Sequence, residues 1–437
     1  MINPGNPYNG LVLGGSGFPS TAQGRVPQAG DPTVQALFHN LPKGAANTDW
    51  DTWAPRAGFA YHLTGHQSTV LRGGLGVFYE RIEGNFIFSA VNNPPFIQQE
   101  MIYNGNVENP TGGTAQNFPN TINNSHYLDR KVPRVLNWSM GVQQKLARDT
   151  ILDVAYVGSS TASLSCQDDI NQLLPGTLIA NPGINANALR PYPGYADIYQ
   201  YNTGANFIDN SLQAQLRKNL HAGGLFSVAY TGSKGRTDAN SYSYQPENRY
   251  NLRGGWGPSS YNRNQVLVIS DVYPLPFWRT GDEWYKKALG GWQLSGITII
   301  QSGLPVNVTL AADVAGIGIS GSQRPNLVGN PLGGVNGTRY LNPAAFAVPA
   351  PGTLGSLGAY AIFGPHRNNW DASLQKAFPV HEPISLAFRA GFYDFPNHLS
   401  CFGVNSGSFS DTPPSSFGQI SSATDPRTLQ FALRLTF

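Results

Sequence analysis

The sequence predicts an all-β fold, an antiparallel transmembrane β-barrel that is here a partial barrel of about eleven strands. Three observations predict it. The first is the alternation of the last stretch, Arg427 to Phe437, where Leu429, Phe431, Leu433, Leu435 and Phe437 take every second position. Gln430, Ala432, Arg434 and Thr436 fill the gaps. Successive side chains of a strand point to opposite faces, so one face is wholly apolar and the other small or polar. A tilted strand of about 9–11 residues crosses a bilayer, and this segment is that long. The second observation is composition. Only 12% of the 437 residues are charged, against about 25% in a typical soluble domain. No run approaches the ~18 apolar residues of a membrane helix. A barrel that is apolar outside and neutral-polar inside has such a composition. The third is the spacing of the strands.

Period-two segments recur along the chain. Ala57, Phe59, Tyr61 and Leu63 alternate with Gly58, Ala60 and His62; a turn at Thr64-Gly65-His66 follows. Leu71, Leu75, Val77 and Tyr79 alternate with Arg72, Gly74 and Gly76. Leu136, Trp138, Met140 and Val142 lead across a turn at 147–149 to Leu152, Val154 and Tyr156. Leu212, Ala214 and Leu216 lead across 218–224 to Phe226, Val228 and Tyr230. Ile384, Leu386, Phe388 and Phe392 precede the terminal strand. With three less regular segments, the expected strands are 56–62, 69–79, 134–146, 150–157, 207–217, 225–234, 264–273, 291–301, 369–378, 384–393 and 427–437. None holds a proline, although the chain has 33, and proline would remove a ladder hydrogen bond.

The connections alternate in length. Turns at 63–68, 147–149, 218–224 and 379–383 are short, and 274–290 is a longer exception. The loops at 80–133, 158–206, 235–263, 302–368 and 394–426 are long and rich in Gly, Asn, Pro, Ser and Tyr. Short turns on one side and long loops on the other are the plan of bacterial outer-membrane barrels, with the loops outside and the turns in the periplasm. The aromatic carboxy-terminus resembles the terminal insertion signal of that class, carried by Leu429, Phe431, Leu433, Leu435 and Phe437.

Further segments resemble one family. Asp51-Thr-Trp-Ala-Pro-Arg-Ala-Gly-Phe-Ala-Tyr61 with Thr69-Val-Leu-Arg-Gly-Gly-Leu-Gly-Val-Phe-Tyr79 is similar to a mid-barrel hairpin of Oar-like TonB-dependent receptors. Asn137-Trp-Ser-Met-Gly-Val-Gln143, Ser211-Leu-Gln-Ala-Gln-Leu-Arg217, Ala229-Tyr-Thr-Gly-Ser-Lys234, Gly291-Trp-Gln-Leu-Ser-Gly296 and Arg389-Ala-Gly-Phe-Tyr-Asp-Phe-Pro-Asn-His398 continue it, as does Phe417-Gly-Gln-Ile420 through Phe437. The resemblance implies the C-terminal half of a 22-stranded plugged transporter. Residues 1–55 are then an extracellular loop segment and 56–437 the half-barrel. The sequence carries no plug, no TonB box and no signal peptide, so the chain is expected to be the second half of a longer protein. Its partners would be outer-membrane lipid, the barrel-assembly machinery through the C-terminal strand, TonB through the missing N-terminal region, and an unidentified ligand such as a siderophore or oligosaccharide. The alternative is a surface barrel for adhesion or envelope organisation without import.

The sequence offers no catalytic constellation, no cofactor motif and no metal-ligand spacing, so an enzyme is not expected. Net charge of +3 gives no argument for nucleic acid. Gly316-Ile-Gly-Ile-Ser-Gly321 fits a dinucleotide pattern but lacks the strand before and helix after it. Gly14-Gly-Ser-Gly17 has no strand–elbow–helix setting, and His381-Glu382 has no second histidine at helical spacing. The weak ligand candidates are Tyr195, Tyr199, Tyr201 and Asn202 in one loop and Trp256 and Tyr261 in another, which also holds Tyr242, Tyr244 and Tyr250. Aromatic rings beside amides can stack on and hydrogen-bond a ligand at a barrel mouth. The same rings can equally pack the loops or form an interfacial girdle. Arg72, Arg217, Arg389 and Arg434 fall on the polar faces and read as lumen residues. Cys166 and Cys401 fall in expected outer loops, where a disulfide is permitted.

Overall fold

Each of the eleven expected segments forms a strand, the three less regular ones included, and the strands pair antiparallel in chain order within one sheet. They are β1 (Arg56–His62), β2 (Thr69–Tyr79), β3 (Arg134–Ala147), β4 (Thr150–Asp169), β5 (Tyr195–Asn219), β6 (Leu225–Thr237), β7 (Gln265–Pro274), β8 (Gln293–Gln301), β9 (Arg367–His381), β10 (Ile384–Tyr393) and β11 (Thr428–Thr436). The computed structural model describes all residues except 1–7, 9, 44–45, 64–67, 82–83, 85–88, 98–100, 105, 111, 117–119, 127, 242–243, 279–280, 282, 320–322 and 382. The expected turn at Thr64-Gly65-His66, and Tyr242, Gly321 and Glu382, lie outside the described residues. Among the described residues no helix is long and apolar enough to cross a membrane.

The sheet is open. β1 and β11 are its two ends, and each pairs on one side only among the described residues. Every residue of both strands is exposed.

Paired residues share a face, so the register sorts the side chains. Leu386 opposes Leu435, Phe388 opposes Leu433, Ala390 opposes Phe431 and Phe392 opposes Leu429. Between them Ala387 opposes Arg434, Arg389 opposes Ala432 and Gly391 opposes Gln430. The same division runs through the sheet: Leu212 opposes Tyr156 on the apolar face, and Gln213 opposes Ala155 on the other. Phe59, Leu75, Met140, Leu212, Leu294, Phe431 and Leu433 are all exposed, which in water would be a long apolar patch and in lipid is a solvated surface. Arg72, Arg217, Arg389 and Arg434 share the opposite, lumen-side face.

Glycine in these strands makes room for rings. A Cβ at Gly158 would stand 2.2 Å from the Trp138 ring on the neighbouring strand, and one at Gly73 would stand 2.7 Å from Phe59. The ring covers the bare backbone of its neighbour, which keeps the outer surface filled.

Three expectations are corrected. First, β4 and β5 run about a dozen residues past the span, so much of the expected loop 158–206 is strand. These extensions lack the apolar alternation of the spans, and a ladder outside hydrocarbon needs none to persist. They carry Cys166 and Tyr195 through Asn202 on strands rather than loops. Second, proline is not excluded: Pro379 lies in β9 and Pro274 ends β7. Pro379 sits beside a register shift next to His381, where a missing N–H breaks little of the ladder. Third, the two cysteines are free thiols. The Cys166 thiol is buried and lies 2.8 Å from Asn202 Oδ1.

The long loops pack into a body of their own. Residues 302–366 and 400–424 enclose a core of Val308, Leu310, Leu341, Phe346, Phe409 and Phe417. The Phe346, Phe409 and Phe417 rings sit 5.1–5.8 Å apart, centroid to centroid. Gly316 and Gly318 take positive φ in this region, and Ile317 between them is fully buried. The described part of that glycine pattern is therefore a packed loop.

Candidate functional site

The lumen face at the long-loop end of β4, β5 and β6 carries a cavity of about 320 Å3, at the lower end of the roughly 300–1,000 Å3 usual for small-ligand clefts. Thr161, Phe207 and Thr237 form its wall; they stand opposite one another across three strands. Residues 239–241 and 259–261 lie at the strand ends and supply Ala239, Asn240 and Tyr261, and Glu80 with Arg81 closes the side at the end of β2.

Asn240 is the polar group that stands out. It is nine-tenths buried. Its Oδ1 accepts from the Ser260 N–H at 2.5 Å, while its Nδ2 has no hydrogen-bond partner among the described residues. A buried donor left unsatisfied costs about 1–3 kcal/mol, and a ligand acceptor in the cavity would repay that. Tyr261 lies at the rim with 78% of its surface exposed. An exposed ring beside an amide can stack on a ring or sugar while the amide hydrogen-bonds it.

The other sequence candidates lie elsewhere. Tyr195 is buried with Ile122 and Ile198, and burial pushes its hydroxyl up to about 12. Tyr201 is buried and stacks on His126 with centroids 6.3 Å apart. The Tyr199 hydroxyl donates to Asp197 at 3.1 Å. Asn202 donates to Asp168 and accepts from the Gly204 N–H at 2.9 Å. Trp256 lies under the Arg236 guanidinium, 5.6 Å from its ring centre. Tyr261 alone of the six lines the cavity.

A buried polar network holds the tips of β4 and β5 and the loops beside them. Asp169 accepts from the Ile198 and Asn171 N–H groups at 2.8 and 2.9 Å. Arg190, 5% exposed, bonds Asp197 at 2.5 Å, Asp169 at 3.3 Å and the Gly318 carbonyl at 3.3 Å. Burial raises the Asp169 carboxyl above its ordinary range, opposed by those two N–H bonds. Arg324 Nη2 pairs with Glu247 at 2.6 Å, and the Arg324 N–H donates to the same carboxylate at 2.7 Å. Sequence reasoning reached Asn240 as the first residue of the aromatic loop that runs to Asn264, but missed Glu80 and Ser165 as cavity neighbours, because nothing in their local pattern brings them together.

The sequence matches the outer membrane beta barrel domain family over residues 4–430. The chain belongs to that family. Its place is therefore the bacterial outer membrane, with the exposed apolar face against lipid. No curated protein sequence gives a significant match. Among solved structures, the outer membrane transporter YddB from Escherichia coli is similar with a TM-score of 0.51 and 12% identity, covering 87% of this chain and 40% of YddB. The ferric enterobactin receptor PfeA from Pseudomonas aeruginosa has a TM-score of 0.43 and 13% identity, covering 87% of this chain and 40% of that one. This outer-membrane barrel domain thus spans about two-fifths of the length of these two structures, and shares the fold of YddB over that stretch.

Proposed function

We propose that this barrel domain is the C-terminal half of an Oar-like TonB-dependent receptor, and that the intact receptor imports a bulky ligand using work delivered by TonB. Residues 1–55 are then an outer loop segment and 56–437 the half-barrel. The long loops face outside, and the turns at 148–149 and 220–224 face the periplasm. The β11 strand, with Leu429, Phe431, Leu433, Leu435 and Phe437, is the segment read by the barrel-assembly machinery. TonB would act through a region that precedes this chain.

The observation that carries the reading is the open meander. Unpaired backbone groups in hydrocarbon cost several kcal/mol each, so β1 and β11 need partners. Eleven antiparallel strands cannot close on each other without one parallel seam, unlike the antiparallel closure of single-chain bacterial barrels. A preceding set of strands solves both problems. The mouth cavity supports a receptor role, because Asn240 and Tyr261 offer a donor and a stacking surface to a siderophore or oligosaccharide.

The test is uptake by the intact protein. Cells expressing it should accumulate a labelled ligand in a TonB-dependent way, and Tyr261→Ala with Asn240→Leu should lower apparent affinity without lowering the amount of folded barrel. Upstream sequence without a plug or TonB box, or uptake indifferent to TonB, would remove the transport reading in favour of surface adhesion.

A further inference from the structure

The connection between β7 and β8 is the long exception among the turns, and its structure gives it a role. The segment 275–292, as far as its described residues go, does not hang free below the sheet. It folds back over the lipid-facing side of β9 and β10. The Trp292 ring packs edge-on against Phe378 and Phe388, at 6.3 and 6.0 Å between centroids. Both phenylalanines are on the lipid-facing side: Phe378 opposes Leu386, and Phe388 opposes Leu433.

Lys376 opposes Phe388 and so belongs to the same face. A lysine on that face is destabilising at mid-membrane and close to neutral near the interface. Lys376 is only 6% exposed. Its ammonium donates to the Lys287 carbonyl at 2.5 Å and the Ala288 carbonyl at 3.0 Å. Those carbonyls close the short helix Trp284–Leu289, whose C-terminal end carries partial negative charge. The Phe378 ring centre lies 4.5 Å from the same ammonium. Gly290 completes the seat, since a Cβ there would come within 1.9 Å of the Trp278 carbonyl oxygen.

The outer side of the segment is aromatic. Phe277, Trp278, Trp284, Tyr285 and Leu289 are exposed, and Lys286 pairs with Glu283 at 2.9 Å. Tryptophan and tyrosine concentrate where hydrocarbon meets water, and a short amphipathic helix lies in that plane. The segment is continuous with the lipid-facing band of β8 to β10.

From this we infer that Phe277, Trp278 and residues 284–292 form an interfacial foot seated in the headgroup layer of the periplasmic phospholipid leaflet, with Lys376 as the positioning residue that latches it to the barrel wall. The inference takes its side of the membrane from the proposed topology, and the depth measurement below reads membrane contact whichever side that is.

A nitroxide at Leu289→Cys reports the depth. The intact protein, with Cys166→Ser and Cys401→Ser, is reconstituted in vesicles of phosphatidylethanolamine and phosphatidylglycerol. Collision with oxygen, which concentrates in lipid, is compared with collision with a water-soluble nickel chelate. The label should show a several-fold higher oxygen-to-nickel ratio than a label at Arg148→Cys in the β3–β4 turn. Lys376→Met should drop the ratio toward the turn value, and Lys376→Arg should preserve it. A ratio at 289 equal to that at 148 would overturn the foot. An unchanged ratio in Lys376→Met, with the folded form confirmed by heat-modifiable migration, would overturn the latch. If Lys376→Met does not fold, Gly290→Leu tests the same seat with the same readout.

Discussion

Arg72 on β2 reaches across β3 to form an ion pair with Asp153 on β4. The path is open because the β3 residue opposite Arg72 is Gly141. A Cβ there would stand 2.9 Å from the Ala155 Cβ and 3.0 Å from the Val154 carbonyl oxygen. The lumen-side arginine thus finds its acid within the barrel wall, two strands away. The pair is half exposed, so Arg72→Ala should cost no more than about 1 kcal/mol. Gly141→Val should cost more, about 1–3 kcal/mol, because it overpacks the wall as well as blocking the pair. The temperature at which the folded gel band of the intact protein disappears ranks the two. Equal loss in both would show that the bare position does not matter.

The lipid face of β11 makes a second prediction. Leu433 opposes Phe388, and the Phe388 and Phe431 rings stack 6.4 Å apart. Leu433→Arg should cost about 2–4 kcal/mol near mid-membrane. Thr436→Ser, on the other face, should be close to silent. Equal tolerance of the two changes in the same thermal assay would sink the facial assignment.

The strands were readable from sequence because lipid on one side and water on the other force a period of two on every crossing segment. Leu429 to Phe437 shows it without interruption, and Leu71 to Tyr79 shows it with Gly73 in one of the apolar places. Where that constraint stops, so does the signal. Ser159 to Asp169 and Tyr195 to Asn206 are strand without that alternation, and their polar sequence looks like a loop. Lys376 gave no hint of its lipid-side position, because the carbonyls that satisfy it come from residues almost ninety positions earlier. The cavity has the same problem. Glu80, Thr161 and Asn240 come together only after the four strands β3 to β6 and their connections have folded; Tyr261 and Asn240 both lay in a loop the sequence singles out, whereas the unpaired state of the Asn240 donor needed the fold.

Topology gives a third prediction. Residues 180 and 330 lie beyond the long-loop ends of the strands, and Arg148 lies in the tight β3–β4 turn. On cells expressing the intact protein, epitope tags at 180 or 330 should be labelled from outside and a tag at 148 should not. Surface labelling at 148 would reverse the orientation.

His126 supplies a pH-dependent prediction. It lies on the strand Asn120–His126, which pairs parallel with the tip of β5. Burial, with Arg130 adding to it, lowers its imidazole from 6.5 to about 4. The folded loop therefore binds a proton less readily than the unfolded one. That stability is present above 6.5 and is lost as pH falls through about 4. Hydrogen-exchange protection of 120–126, corrected for intrinsic rates, should decline across that window, and His126→Phe should flatten the decline. Protection that is flat in the native protein would contradict the burial.

The ion pair between Glu247 and Arg324 answers acid in the opposite sense. Both side chains are about nineteen-twentieths buried, and Arg324 also donates to the carbonyls of Leu357 at 2.9 Å and Gly254 at 3.1 Å. Burial raises the Glu247 carboxyl above its ordinary range, and Arg324 opposes that by charge and by its backbone N–H. With the folded pKa above the unfolded one, this group's contribution is full below the unfolded pKa and is lost as pH rises through the folded one. Arg324→Met removes the opposing charge and leaves a buried carboxylate alone, a change that costs about 3–5 kcal/mol. The loss should be largest at neutral and alkaline pH and shrink in acid, where Glu247 takes up a proton. Glu247→Gln combined with Arg324→Met should be closer to the native protein than Arg324→Met alone, because no unpaired charge remains. Protease resistance of the outer loops on intact cells measures this across pH. A penalty for Arg324→Met that is the same in acid and at neutral pH would mean that the arginine acts through its carbonyl bonds, and that Glu247 is not the group it stabilises.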